Sequence, residues 1–311
     1  MIRANDLILL VVLFSSMVAG ILAPDFGAHF QPYPLYLMMA FFFLSLLPIR
    51  LDAIWDTLRK GWVFIAFLTA VKIVLLPAAV YGLFHAVFPE YALGALLLTG
   101  ISTGVVAPFI SNLVGANSAL VLVLVVVTSP LVPFTLPVLV KLLSEQAMAL
   151  SLFAMIRMLA LVVFIPVLVV EVLRRIVPRL LEAIDRRRFP ISLVLFATIN
   201  LAVFSKYSVY FHQRPSTILV ATVVAGVLAA IYLGVGMILS RQRSLEDQLA
   251  SAVSLGNMNN VLVIVFAARF FSPLEPTLAA MYMIPFFGLI VPLRIYGRRS
   301  RVVHAEAGGS G

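Results

Sequence analysis

The stretch GISTGVVAPFISN (residues 100–112) interrupts a long apolar run with glycine, proline and polar residues, and SLGNMNN (residues 254–260) does the same later in the chain. Glycine and proline weaken or end a helix, and the amides add side-chain hydrogen-bonding groups. In lipid, a broken backbone is tolerated only where it is buried in protein or lines a cavity. We therefore predict breaks at Gly104, Pro108 and Gly256, each inside a membrane-spanning helix.

The composition of the chain indicates that its solvent is lipid. Of its 311 residues, 63% are hydrophobic and only 11% are charged, and the mean hydropathy is +1.12. Average soluble proteins carry about a quarter charged residues, and a soluble domain of this size would lack the polar surface to cover so many apolar side chains. These values predict an all-α integral membrane protein.

Apolar runs of the length that crosses a bilayer, roughly 20 residues, predict about ten spans. In chain order they are Leu7–Ala23, Leu35–Leu47, Trp62–Phe84, Ala92–Val114, Ser118–Leu142, Met148–Leu173, Ile191–Val209, Thr217–Leu239, Leu249–Phe270 and Thr277–Ile295. The two interrupted stretches fall in the fourth and the ninth span.

The order of the spans also predicts an internal repeat. Five spans precede the connector Ser144–Ala147 and five follow it, so the two halves insert with opposite orientation. That is the condition for the inverted repeats of secondary transporters. We place the first repeat at residues 1–143, the second at residues 148–301, and a disordered tail at residues 302–311.

Lysine and arginine concentrate on one side of the predicted bilayer. With the N-terminus in the cytoplasm, the opposite side carries four of them, whereas the cytoplasmic side carries sixteen: Arg3, Arg50, Arg59, Lys60, Arg174, Arg175, Arg179, Arg186, Arg187, Arg188, Arg241, Arg243, Arg294, Arg298, Arg299 and Arg301. Positively charged loops stay in the cytoplasm. We therefore expect both termini there, in a bacterial inner membrane, and the net charge of +9 requires no nucleic-acid partner.

Paired breaks at corresponding places in two halves indicate the binding site of a transporter. If each occurred alone, we would interpret Pro108 as a helix kink and Gly256 as a packing residue at a helix crossing. Two breaks at corresponding places instead favour a substrate-binding site. Asn257, Asn259 and Asn260 offer donors and acceptors for a carboxyl or hydroxyl group of the substrate, and at least one of them is expected to cap a half-helix. Weaker candidates are Ser111, Asn112, Asn200 and Asn117, the last as the cap of the fifth span.

Six segments in chain order carry a resemblance to a known family: Leu37–Gly61, Val71–Pro77, Tyr91–Leu98, Gly115–Leu120, Thr128–Leu131 and Gly256–Asn260. Together they resemble the bile acid:sodium symporter family, within the broader superfamily of bile, arsenite and auxin carriers. The resemblance implies ten helices in two inverted five-helix repeats. It also implies a mobile panel domain and a core domain in which the broken fourth and ninth helices cross near the midplane.

The sodium ligands that this resemblance implies are largely replaced. Their positions hold Lys72, Ala107, Pro108, Thr128, Ser129, Ser254, Met258 and Asn259. Ser254 stands where the family has a carboxylate, and Lys72 stands where it has a glutamine. No Asp or Glu is expected deep in any span. Glu171 is within the sixth predicted span, but it lies near its end. We therefore expect a dismantled sodium site, and neither a cofactor nor a metal ion.

Lys72 lies about ten residues into the third span, where a charge costs at least a few kcal/mol and usually has a function. Its side chain is too short to reach either interface easily. Two roles are open. The ammonium would take the place of a sodium ion and donate to carbonyls of the broken ninth helix, or it would release its proton and so couple transport to protons.

Two other basic features have separate interpretations. Arg157 lies within the sixth span and stays charged, so it either attracts an anionic substrate or, equally, holds the core domain interface. The stretch Arg174–Arg188 has apolar residues at helical spacing, which is typical of an interfacial helix on anionic lipid.

No catalytic constellation is present in the sequence. Its four histidines are scattered, it carries none of the common hydrolase or nucleotide-binding motifs, and it has no cysteine for a thiol nucleophile or a thiolate metal site. The leading hypothesis is a secondary transporter that moves a small or amphipathic organic anion by alternating access. The alternatives are a sodium-coupled symporter of the bile-acid type, an arsenite-type or auxin-type efflux carrier and, last, a membrane receptor or enzyme.

Overall fold

The structure of the chain, a computed structural model, describes residues 4–49, 52–144 and 150–297. The first half is a succession of helices with one π-helical segment, Val71–Leu75, and a short 3-10 turn, Pro89–Tyr91. Its α-helices are α1 (Ala4–Leu22), α2 (Pro24–Ala28), α3 (Pro34–Leu46), α4 (Asp52–Ala70), α5 (Leu76–Val87), α6 (Ala92–Gly100), α7 (Ala107–Val114) and α8 (Ser118–Leu143).

The second half is also helical throughout its described part, and the two halves together contain no β-strand within the described ranges. Its helices are α9 (Leu152–Ile176), α10 (Pro178–Arg186), α11 (Arg188–Lys206), α12 (Ser208–Gln213), α13 (Ser216–Leu239), α14 (Leu245–Gly256), α15 (Asn260–Phe270), α16 (Leu274–Met281) and α17 (Met283–Gly288). The predicted tail at residues 302–311 lies outside the described residues.

Six helical segments of the described residues are long and apolar enough to cross a membrane: Thr57–Val87, Ser118–Leu143, Leu152–Ile176, Arg188–Lys206, Ser216–Leu239 and Leu274–Gly297. This confirms a multi-pass, all-helical membrane protein. Of the other four predicted spans, the first corresponds to α1 and the second to the shorter helix α3, and the fourth and ninth are each divided into two half-helices.

The helices assemble into two packed groups. Helices α1, α3, α9 and α11 contact one another, because α11 packs on α1 and α3 while α3 packs on α9. The second group contains the remaining long helices and both broken ones, with α5 on α6, α13 on α14 and α16, and α7 and α14 on α8. The groups meet where α8 packs on α9 and where α15 packs on α11 and α3.

Basic side chains tie several elements together at one end of the bundle, here named the basic end. Arg174 Nη2 donates to Leu46 O and Leu47 O, each at 3.1 Å, at the end of α3. Arg294 Nε donates to Leu113 O at 3.2 Å in the last turn of α7. Near the same place the Asn117 N–H donates to Glu246 O in the first turn of α14. The ends of α3, α7 and α9 and the beginning of α14 therefore share one end of the molecule.

Candidate functional site

The two interrupted helices cross at their breaks and hydrogen-bond to each other there. The Gly104 N–H donates to Asn257 O at 2.8 Å, and the Asn259 N–H donates to Ser102 O at 3.1 Å. The pair Thr103 and Met258 between them forms an isolated antiparallel bridge. Backbone groups that have no hydrogen-bond partner within their own helix at the breaks are thus paired across the crossing, as a membrane interior requires.

Gly104 permits the close approach of the two breaks. A Cβ added at this residue would lie 2.7 Å from Met258 O and 3.0 Å from Met258 C. Both contacts are with backbone, which cannot move aside without disturbing the bridge. At Gly256, the other predicted breaking glycine, an added Cβ would meet only Leu289 Cδ1 at 3.1 Å. The space for a side chain is therefore more restricted at Gly104 than at Gly256.

Local sequence explains where each second half-helix begins. Pro108 lies in the first turn of α7, a position where its missing N–H has no intrahelical partner to lose. It therefore begins a helix and does not kink one. Asn259 is the N-cap of α15, and its Oδ1 accepts from the Leu262 N–H. The expectation that one of the three clustered asparagines caps a half-helix is confirmed for Asn259.

Lys72 lies in the π-helical segment and is buried, with 1% of its surface exposed. Pro77 follows closely; it has no N–H and its ring crowds the carbonyl four residues earlier. The Leu76 N–H donates instead to Val71 O, five residues back. Such π-segments occur frequently at functional sites. The Lys72 ammonium donates to Thr99 O at 3.1 Å, in the last turn of α6. The predicted partner in the ninth span was therefore wrong, because Lys72 donates to α6, the first half of the fourth span.

Each half-helix that ends at the crossing has a buried donor at or near its last carbonyl. For α6 the donor is Lys72, and for α14 it is Tyr282, whose hydroxyl donates to Gly256 O at 2.7 Å. The Tyr282 ring lies 5.8 Å from that of Tyr232. The Tyr232 hydroxyl in turn lies 2.6 Å from Thr99 Oγ1. Both negative helix ends are thereby stabilised by side chains of the protein.

Thr103 and Thr128 join the crossing to α8. The Thr103 N–H donates to Thr128 Oγ1 at 3.2 Å, and Thr103 Oγ1 donates to Ser254 O at 3.0 Å. Ser129, the other predicted hydroxyl, donates to Val125 O within its own helix. The structure therefore brings Thr128 and Ser254 together at the crossing through Thr103, a residue that the sequence did not single out.

Several buried polar atoms at the crossing have no hydrogen-bond partner among the described residues. Asn257 Nδ2 donates to Phe286 O and Asn260 Nδ2 contacts Met283 Sδ, but the other atom of each amide is unpaired. The unpaired atoms are Ser102 Oγ, Ser254 Oγ, Asn257 Oδ1, Asn259 Nδ2 and Asn260 Oδ1. Unpaired buried polar groups are costly, so this cluster leaves donors and acceptors that a polar ligand could pair.

Comparison with known sequences agrees with this architecture. The family model described as the SBF-like CPA transporter family matches residues 8–287. The chain belongs to this family. No curated protein matches the chain. The match covers both breaks and the Lys72 segment, and it confirms the resemblance to bile acid:sodium symporters. As a member of the SBF-like family, the chain is a membrane transport protein.

Three residues predicted for the binding site of this SBF-like chain lie away from the bridge between the two breaks. Ser111 Oγ donates to Pro108 O, and the exposed Asn112 accepts from Ser118 Oγ. These contacts lie along α7 and at its junction with α8, away from the bridge. Arg157 is exposed and lies only five residues after α9 begins at Leu152, with no hydrogen bond or ion pair to a described residue. Arg157 therefore lies within the sixth span, as predicted, but close to its beginning.

A cavity of about 240 Å³ lies between α3, α8 and α9, at the contact between the two helix groups. Apolar side chains line it, and its polar lining residues are Ser129, Glu171 and Arg174. Arg174 also forms an ion pair with Glu171 at 3.0 Å. Since Arg174 belongs to the basic end, the cavity approaches that end. The first arginine of the predicted lipid-binding stretch is thus held by protein groups.

A second cluster, which sequence analysis did not identify, lies at the opposite end. Lys206 Nζ and the Tyr207 hydroxyl, both next to the end of α11, donate to Ala268 O in α15 at 2.9 and 3.1 Å. Glu275 is buried in the first turn of α16, where it accepts from Ser272 Oγ at 2.7 Å. The tenth span begins at Leu274, three residues before the predicted Thr277, so Glu275 lies at the end of this span and not deep within it.

Proposed function

We propose that this SBF-like transporter moves a small or amphipathic organic anion by alternating access, without sodium, and that the Lys72 ammonium takes the place of the ion. The observation that carries the proposal is the buried bond from Lys72 Nζ to Thr99 O at the end of a broken helix. A charge in this position is expensive, and in membrane transporters such a charge is by default functional.

The architecture that goes with this proposal has ten spans in two inverted five-helix repeats, at residues 1–143 and 148–301. Two features support it. A broken helix occurs at the corresponding fourth and ninth places, and the breaks pair in an antiparallel manner. Helices α1, α3, α9 and α11 would form the mobile panel, and the group that contains the crossing would form the core.

The electrostatics of the crossing support a fixed cation. A helix C-terminus carries about half a negative elementary charge, and two such ends, those of α6 and α14, meet here. A sodium site would neutralise them with a mobile ion held by carboxylate and amide groups. In this chain Ser254 and Met258 replace those groups. The tethered ammonium at Thr99 O neutralises the end of α6 permanently.

The polar groups of the crossing support an anionic substrate. Helices α7 and α15 begin at the crossing, and helix N-termini favour negative charge. The unpaired amides of Asn257, Asn259 and Asn260 supply donors and acceptors beside them. The cavity near Ser129 is otherwise largely apolar, so it suits the hydrocarbon part of an amphipathic molecule.

Alternating access requires one end of the contact between the helix groups to be closed while the other is open. The bonds from Lys206 and Tyr207 to Ala268 O close the end opposite to the basic loops. The cavity that Glu171 and Arg174 border lies toward the basic end. We assign the basic end to the cytoplasm, with both termini there, and α10 and the rest of the stretch Arg174–Arg188 to an anionic lipid surface.

The orientation can be tested with single cysteines, since the chain has none of its own. Arg243 lies at the basic end, and Gln213 is the last residue of α12 at the opposite end. Both positions are exposed, so each is replaced by cysteine. In sealed cells a membrane-impermeant maleimide should label Gln213→Cys from outside and leave Arg243→Cys unlabelled until the cells are permeabilised. The reverse result would contradict the topology.

The function itself is tested by uptake into proteoliposomes of the purified full chain. The panel of radiolabelled anions would comprise acetate, benzoate and cholate, each measured with and without a sodium gradient and with and without a pH gradient. Uptake of an anion that is saturable and unchanged by sodium supports the proposal. Uptake that needs sodium, with a sodium flux in fixed ratio, would refute it and identify a bile-acid type symporter, in which Thr128, Ser129 and backbone carbonyls bind the ion.

A further inference from the structure

Asn200 is a buried polar residue for which the fold has no internal use. It lies in α11, none of its surface is exposed, and neither its Nδ2 nor its Oδ1 has a hydrogen-bond partner among the described residues. An amide supplies donors and an acceptor, and leaving both kinds unpaired in the interior of a membrane protein is costly. A leucine of similar volume would avoid this cost.

The direction of the Asn200 side chain follows from helix periodicity. Asn200 precedes Tyr207 by seven residues, which is nearly two full turns, so the two lie on the same face of α11. The Tyr207 hydroxyl reaches Ala268 O in α15, and α11 packs against α15 along the contact between the two helix groups. Asn200 therefore lies on the face of α11 that carries Tyr207 and not on the other side of α11. There Ser205 packs against Gly27 and accepts from Gln31.

Along the axis of α11, Asn200 lies near the level of the crossing. Helices α11 and α15 both end near the Tyr207 contact, and a helix rises 1.5 Å per residue. Asn200 consequently lies about 10 Å from Tyr207 along the helix axis. The residue at the same distance from Ala268 is Val261, which follows Asn260. Asn259 and Asn260, which each carry an unpaired amide atom, therefore lie within about one helical turn of the level of Asn200.

We propose that Asn200 is the panel-side residue that binds the polar end of the substrate and helps to determine specificity. When α11 moves relative to α15, the amide becomes accessible to the opened crevice. Its Nδ2 then donates to the carboxylate of an organic anion, and its Oδ1 accepts from a hydroxyl or N–H group of the same molecule. In the closed contact seen here the amide is desolvated, which favours opening when substrate arrives. This inference rests on the proposed function.

The first test uses the absence of cysteine from the chain and does not depend on the identity of the substrate. Asn200→Cys and the control Ser205→Cys, on the other side of the same helix, are each reconstituted as full-length protein. The probe is the water-soluble anionic reagent 2-sulfonatoethyl methanethiosulfonate. We expect Asn200→Cys to react at least about tenfold faster than Ser205→Cys. Equal rates, or no reaction at position 200, would overturn the proposal.

The second test separates binding from a structural role. Asn200→Leu keeps the side-chain volume and removes the unpaired atoms, so its melting temperature in detergent should be equal or higher. For whichever of acetate, benzoate and cholate the unmodified protein takes up, its KM should rise about tenfold, the effect of one hydrogen bond. A lower melting temperature with an unchanged KM would show a structural residue. If no anion is taken up at all, the proposed function fails, and the labelling rates still decide whether Asn200 faces the crevice.

Discussion

The ammonium nitrogen of Lys72 lies 3.1 Å from the carbonyl oxygen of Thr99, a bond between the π-helical segment and the last turn of α6. Thr99 itself is fully buried, and its hydroxyl is close to that of Tyr232. The bond thus connects the only buried lysine of the described residues to the broken helix whose other contacts form the crossing. A change at Lys72 acts directly on the crossing.

Lys72→Gln should lose most of the transport activity and should not create sodium dependence. Glutamine keeps much of the length and a donor, but it removes the charge that balances the end of α6. The carboxylate and amide ligands that would recruit sodium are still missing at Ser254 and Met258. We expect initial uptake of the transported anion to fall at least about tenfold, roughly the effect of losing one charged hydrogen bond. Uptake would be measured with and without sodium.

The matched control for this variant is Lys60→Gln, the same substitution at an exposed lysine of α4. Its uptake should remain within about twofold of the unmodified protein, since exposed charges contribute little. Sodium-stimulated uptake by Lys72→Gln would contradict the assignment of the ammonium as a replacement for the ion. Full activity without sodium would show that the charge has no part in transport.

Gly104→Ala should destabilise the crossing. The new Cβ would lie 2.7 Å from Met258 O, and forcing extra atoms into packed structure typically costs about 1–3 kcal/mol. We expect a lower melting temperature in detergent and loss of uptake. Gly226→Ala is the control, because an added Cβ there meets nothing within 4 Å and alanine favours a helix over glycine. Equal melting temperatures for the two variants would mean that the breaks do not approach closely.

Asn259 has two roles that a pair of substitutions can separate. Asn259→Ala removes the cap of α15 as well as the amide, so stability should fall by about 1 kcal/mol and the KM for the anion should rise. Asn259→Ser keeps an oxygen for the Leu262 N–H and caps a helix about as well as asparagine, but it removes the amide. It should retain the melting temperature and raise the KM for the anion. Unchanged kinetics in both variants would place the substrate away from the crossing.

The breaks and the membrane fold were predictable from sequence because both follow from local chemistry. Glycine, proline and asparagine in an apolar run are unusual in lipid, and each of these residues acts on its own stretch of backbone. The cap at Asn117, which accepts from the Leu120 N–H, is local in the same sense, and its prediction is confirmed. The family assignment is confirmed for a similar reason, since it depends on the order of such segments.

The partners of individual side chains were not predictable, because they depend on distances between helices that sequence spacing does not contain. Lys72 donates to α6 in the fourth span and not to the ninth span. The π-helical segment that contains Lys72 was not predicted. Arg157 lies nearer to the beginning of its helix than the predicted span implied, because that span was begun at Met148 and α9 begins at Leu152. Glu275 was placed outside the tenth span because the predicted beginning, Thr277, lies three residues after the helix begins at Leu274. A polar residue next to an apolar run shows its burial only after the run is packed.

The contact at the end opposite to the basic loops should control which side of the carrier is open. Lys206 and Tyr207 both donate to Ala268 O, and the Lys206 ammonium lies 5.2 Å from the centre of the Tyr207 ring. These bonds exist only while α11 and α15 are closed at this end. A double variant, Lys206→Met with Tyr207→Phe, removes both donors and keeps most of the packing. The closed form is then less stable relative to the open form by about 2 kcal/mol, at about 1 kcal/mol for each hydrogen bond removed.

The population shift can be measured with the reporter Val203→Cys, which lies one turn before Tyr207 on the same face of α11 and is buried in the closed form. A membrane-impermeant maleimide added from the side opposite to the basic end should label it at least about tenfold faster in the double variant, as a shift of this size requires. Tyr210→Phe is the control, since its hydroxyl contacts Thr217 and not α15. If the double variant and the control label at the same rate, the Ala268 contact packs the helices but does not hold this end closed, and the gate lies elsewhere along α15.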